Sequence, residues 1–290
     1  MGADLGDVAG LREPLGVAIT PDAALHRSGA RVAVVTTTSS LVRAAPLLLQ
    51  VVGAGLPIVS TCEELAYPWI TQPDIARDLD AAAREAGVAV LSTGVNPGFL
   101  MDTLPLVLTG VCQDVRSVRV ERIQDARPRR VPFQKKIGAG LTVAQFEAKV
   151  AAGGVRHVGL TESMHMIAGA LGWTLTETED RIAPVISDEA MRVGEIAIEA
   201  GGVRGVSQLG LGYVGEETPI ELVFRAAIGE PSSHERIVIE GTPGVDMTIA
   251  GGVNGDVATG AIVVNAARTI ARARPGLRTM ADMPVVTWRG

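Results

Sequence analysis

Across the first hundred residues the apolar and polar positions repeat one unit. Apolar runs at 31–35, 57–59 and 88–91 each end in small hydroxyl residues: Thr36, Thr37 and Thr38, then Ser60 and Thr61, then Ser92 and Thr93. Runs of this length between turn signals predict buried strands. Helical segments stand between them. Residues 44–53 carry Pro46, read as a first-turn proline. Residues 73–86 set Ile75, Leu79, Ala82, Ala83 and Ala86 on one face and stop at Gly87. Strands alternating with helices at this spacing predict βαβ units and a parallel sheet.

The pattern changes after about residue 105. Residues 115–123 alternate Val118, Val120 and Ile123 with Arg119, Glu121 and Arg122, as a half-exposed strand does. Thr142 with Gln145 three places on is a capping box opening a helix over 143–151. Thr161 is expected to cap a second helix over 162–171, closed by Gly172. From 194 to 250 come five short β-like runs, read as an antiparallel meander. A last helix over about 256–272 ends before Pro275 and must bury its apolar face, so it is expected to return to the first part. The expected organisation is an α/β chain: an incomplete Rossmann-type parallel sheet over 1–105 with 255–290 returning, and a second α+β unit over 106–254. That unit, expected to carry an antiparallel or mixed sheet, is the candidate for a substrate and dimerisation role.

With 47% apolar residues in 290, a sizeable core is available. A net charge of −6 argues against a nucleic-acid partner. Arg127, Arg129, Arg130, Lys135 and Lys136 make the one dense basic cluster. Cys62 and Cys112 cannot build a disulfide framework, which points to a reducing cytoplasmic compartment. No apolar run approaches the ~20 residues of a membrane span.

Candidate chemistry concentrates in LPIVSTCEELAYPW, residues 56–69. An apolar run ends in two hydroxyls, two adjacent carboxylates follow, and an aromatic turn closes the stretch. Open α/β sheets bind ligands beyond the carboxyl ends of their strands, so Glu63 and Glu64 are candidates for proton transfer. Acids also favour a helix's first turn, and the residues alone leave both readings open. Thr36, Thr37, Thr38 and Thr61 are candidates for a cofactor cleft or simple strand-exit turns. The four histidines, 26, 157, 165 and 234, form no metal-ligand spacing. Cys62 reads as a small core residue. Met1–Thr20 is glycine-rich and loop-like, and no GxGxxG turn opens the chain.

Five segments fall in one order: TCEELAYPW, then TGVNPGFLMDTLPL at 93–106, RRVPFQKKIGAGLT at 129–142, HVGLTES at 157–163 and GGVNGDVATGAIVVNA at 251–266. Together the chain resembles the 2,4-diaminopentanoate dehydrogenase family and native amine dehydrogenases, distant relatives of dihydrodipicolinate reductase. The resemblance implies NAD or NADP, hydride transfer at an amine-bearing carbon, a small amine, ketone or amino-acid substrate, and a homodimer. It implies a proton-handling role for Glu63 or Glu64. It sets Tyr67, Trp69, Phe133, Gln134 and Asn254 at the substrate, and Asn96, Pro97, Gly98 and Asn265 with the threonines at the cofactor. Asn254 stands where similar proteins often carry His. About 35 residues bearing the glycine turn are absent from this start, one βαβ unit's worth, so the chain reads as a domain entered partway. Two alternatives stand beside this reading. A dihydrodipicolinate reductase lacks support, because its HHxxKxDAPSGT-like segment is missing. A non-catalytic homologue binding a small amine or a partner subunit fits the missing turn.

Overall fold

The computed structural model describes residues 2–20 and 29–288. At the start, a short helix α1 (Leu5–Val8) is followed by a return of chain that bridges Asp4 to Ala18. The repeating unit then appears: β1 (Ala33–Val35), α2 (Leu41–Gly53), β2 (Ile58–Ser60), α3 (Pro68–Thr71), α4 (Pro73–Glu85) and β3 (Ala89–Ser92). The three strands pair in parallel, in order β1-β2-β3. Helices bury both faces. Leu48 and Val51 of α2 and Leu79 and Ala83 of α4 pack with Ile58 and Val90 on one side.

Helix α2 starts three residues earlier than its sequence pattern suggests. Pro46 therefore sits inside the helix, not in its first turn, and Val42's carbonyl loses its helical donor there. The early start has a long-range cause: the Leu41 N–H donates to Glu64 Oε2 at 2.8 Å.

The second part comprises α5 (Thr103–Thr109), β4 (Asp114–Asp125), α6 (Val131–Lys136), α7 (Val143–Ala151), α8 (Leu160–Leu171), β5 (Glu177–Ile186), a small hairpin of β6 (Met191–Val193) and β7 (Ile196–Ile198), β8 (Val203–Val214), β9 (Glu217–Ala227), β10 (His234–Thr242) and β11 (Val245–Ala250). The expected meander is a mixed sheet of order β11-β10-β4-β9-β8-β5. Strand β4 inserts between β10 and β9, antiparallel to the first and parallel to the second. The α7 capping box forms as predicted, Gln145 N–H to Thr142 Oγ1 and Thr142 N–H to Gln145 Oε1. Helix α8 differs: its N-cap is Gly159 at φ 110°, and Thr161 lies within the first turn. Phe146, Met164, Ile167, Leu222 and Ile239 are among the residues of the core that these helices share with the sheet.

Helix α9 (Gly255–Ile270) returns to the first sheet, packing Val263, Ala266 and Ile270 against Val59 and Leu91. A short strand β12 (Gly276–Arg278) then adds in parallel beside β3, an element the sequence pattern did not reveal. No helix among the described residues is long and apolar enough to cross a membrane.

Candidate active site

A cleft of about 680 Å³ opens at the carboxyl ends of β1, β2 and β3, faced by the mixed sheet and the start of α9. Parallel strands aim their chain exits at one edge, so the small hydroxyl residues seen in the sequence converge. Thr36, Thr37, Thr38, Thr61 and Glu63 line this wall. Thr93, Asn96 and Pro97 of the loop after β3 continue it. Thr93 Oγ1 and Asn96 Oδ1 are buried without a hydrogen-bond partner.

Gly98 shapes that loop instead of lining the cleft. Its φ is 122°, and a Cβ there would fall 2.5 Å from Gly94 N. Asp102, fully buried, fastens the turn: its carboxylate accepts from Gly98 N at 2.7 Å, Thr103 N at 2.5 Å and Ser163 Oγ at 2.8 Å. Burial raises its pKa, and these donors oppose the shift.

The two glutamates separate. Both lie in one short 3-10 turn after β2. Glu63 lines the cleft, and Lys136 Nζ lies 3.8 Å from its Oε1. Glu64 turns the other way and holds the start of α2 through Leu41. Cys62 between strand and turn is 1% exposed, and burial pushes its thiol up to about 12.

The opposite wall is cationic and anchored. Arg122 of β4 lines the cleft with its side chain 2% exposed, 3.1 Å from Glu235 Oε1 in an ionic contact off the hydrogen-bond line. Burial draws its guanidinium down to about 10 and raises the Glu235 carboxyl. Arg129 stacks 3.9 Å above the Phe133 ring centre and pairs with Asp256 at 3.1 Å; Arg130 joins the same carboxylate at 2.9 Å. Asp256 opens α9, so these pairs tie the returning helix to the mixed sheet. His157 stacks on Phe224 at 4.3 Å, with Nε2 unpartnered, and Gln208 clasps its backbone N–H at 2.7 Å and its carbonyl at 3.0 Å. Burial, aided by Lys136, Arg122, Arg129 and Arg156, lowers its pKa to about 3, so the ring is neutral.

The remaining expected residues lie elsewhere. Tyr67 stacks on His165 at 6.4 Å, and Trp69 packs on the core beneath α2 and α4. Gln134 is buried and donates to the Ala126 and Arg127 carbonyls. Asn254 is exposed and caps α9 through the Asp256 and Val257 N–H groups. Asn265, along α9, is not among the lining residues, whereas Thr259, Gly260 and Val263 of that helix are. Of the substrate-side expectations only Phe133 reaches the cleft. His234 lies 3.6 Å from Glu121, and His26 falls outside the described residues. Among the described residues no group of three His, Cys, Asp or Glu could hold a metal ion. Sequence spacing missed Arg122, Thr93 and His157, because strand order and a backbone clasp bring them together. Lys136, one of the basic cluster in the sequence, meets Glu63 across the cleft.

Similarity to known proteins coincides with this geometry. A model of the 2,4-diaminopentanoate dehydrogenase C-terminal domain matches residues 99–288. The chain is 36% identical over 242 residues to the 2,4-diaminopentanoate dehydrogenase of Acetoanaerobium sticklandii, covering 81% of this chain and 68% of that one. It is 26% identical to an amine dehydrogenase of Streptomyces virginiae over 98% of its length and 86% of that protein's. The solved amine dehydrogenase of Mycobacterium smegmatis superposes with a TM-score of 0.87 at 26% identity, over all of this chain and 87% of that one. On its sequence and its fold alike, the chain belongs to the 2,4-diaminopentanoate dehydrogenase family.

Proposed function

We propose that the cleft interconverts an amine and a carbonyl compound with NAD or NADP as redox partner, and that Glu63 is its acid–base group. The observation that carries this reading is the parting of the two acids: Glu63 meets the cleft beyond β2, while Glu64 is committed to α2. A carboxylate there draws an ammonium group and can take its proton, which frees the nitrogen lone pair. Returned to the hydroxyl oxygen of the carbinolamine, the same proton lets that oxygen leave as water while the nitrogen lone pair forms the imine. Two adjacent acids therefore divide their labour, one chemical and one structural.

The cleft residues fit the ring end of a nicotinamide. Asn96 Oδ1 and Thr93 Oγ1 are buried and unpartnered, and a carboxamide supplies a donor for the first and either role for the second. Thr36, Thr37, Thr38 and Thr61 line the same cleft. A nicotinamide held by these residues would supply hydride exchange at the amine-bearing carbon. Among the described residues no strand–glycine turn–helix stands ready for its diphosphate; residues 2–20 form a short helix and a bridge. Arg122 and Arg129 on the opposite wall suit a substrate that carries a carboxylate as well as its amine. Residues 106–254, as the unit bearing that wall, close over the substrate.

The test is spectrophotometric. Purified protein incubated with 2,4-diaminopentanoate is expected to reduce NAD or NADP, and Glu63→Gln to lower turnover about 10²–10⁴-fold. No reduction of either cofactor, together with no fluorescence change on titration with NADH or NADPH, contradicts the reading.

A further inference from the structure

The helix α6 carries a residue whose place exceeds that of a surface charge. Lys136 ends α6 and lines the cleft, with its Nζ 3.8 Å from Glu63 Oε1. Its side chain is 42% exposed, so a ligand can reach the ammonium group. The helix beneath it is held rigidly. Gln134 is buried and donates to the Ala126 and Arg127 carbonyls, and Phe133 lies under Arg129. Lys136 also stands near enough to His157 to depress that ring's protonation. The corner therefore presents one accessible ammonium, one carboxylate and one neutral imidazole with a free ring nitrogen.

Resting on the dehydrogenase reading of this cleft, we propose that Lys136 contacts substrate: it neutralises Glu63 in the free cleft and passes to the carbonyl oxygen when substrate binds. A carboxylate in a partly desolvated cleft is stabilised by a nearby cation. Lys136 supplies that cation until a substrate ammonium takes its place. The displaced lysine then donates to the oxygen of the carbonyl partner. Its donor polarises that oxygen while Glu63 serves the nitrogen. No bond to Lys136 forms or breaks; the residue exchanges one hydrogen-bonding partner for another. The class of ligand it selects is a ketone or aldehyde over the corresponding alkane.

The assignment makes two effects of opposite sign, which a purely structural lysine would not produce. Calorimetry compares 4-oxopentanoate with pentanoate, a pair differing only in the keto oxygen, in saturating ammonium chloride that supplies the cation displacing Lys136 from Glu63. Separately, without ammonium chloride, it measures 2-aminopentane in its ammonium form. Wild type is expected to prefer the keto acid about 10-fold, the strength of a hydrogen bond from a charged donor. In Lys136→Met that preference vanishes, while 2-aminopentane binds about 2–5-fold tighter because its competitor at Glu63 is gone. Lys136→Arg, still cationic, retains most of the preference. Circular dichroism checks that each variant is folded, and the Lys136→Arg comparison keeps the test decisive if the methionine variant fails it. An unchanged keto preference in Lys136→Met, or a parallel loss of both ligands, overturns the proposal. Turnover of an amine by wild type without any keto preference overturns the Lys136 assignment alone. A keto preference that depends on Lys136, with no turnover of any amine, upholds Lys136 as a carbonyl-binding group and defeats the dehydrogenase reading.

Discussion

At the scale of single residues, the fate of a side chain is decided by its partner more than by its type. Glu63 and Glu64 are chemically identical neighbours, and the pair was legible in the sequence as an acid motif after a strand. Which one serves the cleft was not, because the answer depends on the Leu41 N–H, far away along the chain. Removing that acceptor exposes its cost. Glu64→Ala is expected to lose about 1 kcal/mol, as loss of a helix N-cap does. Thermal denaturation should show this as a midpoint lower by about 2–4 °C. Lys136 and Arg122 were hidden for a related reason: a cation's role is set by the carboxylate it meets, and sequence spacing carries no such information across elements.

At the scale of elements, what was legible was local. The α7 capping box needs only residues three apart, and it forms as the sequence predicts. The three parallel strands announced themselves by length and by their hydroxyl exits. Helix α8 was misjudged at its start because Gly159, not Thr161, caps it. A Cβ at Gly159 would fall 2.5 Å from Pro97 Cδ, so glycine is demanded there by a loop from the other part of the molecule. The same loop supplies a sharp prediction. Gly98→Ala adds a methyl 2.5 Å from Gly94 N at a φ that favours glycine. The expected loss is at least about 1–3 kcal/mol, read by urea unfolding. Weaker cofactor binding should accompany it, since Thr93 and Asn96 belong to that loop. A variant as stable as wild type would show that the turn relaxes without strain.

At the scale of the whole molecule, the cleft exists because two sheets of different kind are pinned together. The order β4 between β10 and β9 could not be read from the strands themselves, since parallel pairing joins residues distant in sequence. The pinning is ionic through Arg129 and Arg130 on Asp256, and apolar through Met166 of α8, which shares one core cluster with Val59, Ala66 and Leu91. Desolvation opposes ionisation of Asp256, but the two arginines outweigh it and hold its carboxyl below the usual range. His157 gives this architecture a pH signature. Its folded pKa of about 3 lies below the ~6.5 of an unfolded histidine. The unfolded chain therefore takes up a proton that the folded chain refuses. The His157 contribution is fully present above pH ~6.5 and is lost as pH falls toward 3. Urea unfolding at pH 7 and pH 5 should show the wild type losing more stability than His157→Phe. Equal losses would mean the ring protonates freely in place.

The central claim is that one acid of the pair performs chemistry and the other holds a helix, and a crossed measurement on two variants tests it most directly. Turnover of 2,4-diaminopentanoate and the thermal midpoint are recorded for wild type, Glu63→Gln and Glu64→Ala. Glu63→Gln is expected to lose turnover about 10²–10⁴-fold with its midpoint nearly unmoved, while Glu64→Ala keeps turnover and melts earlier. The opposite pattern, with Glu64→Ala inactive and Glu63→Gln at full turnover, would contradict it.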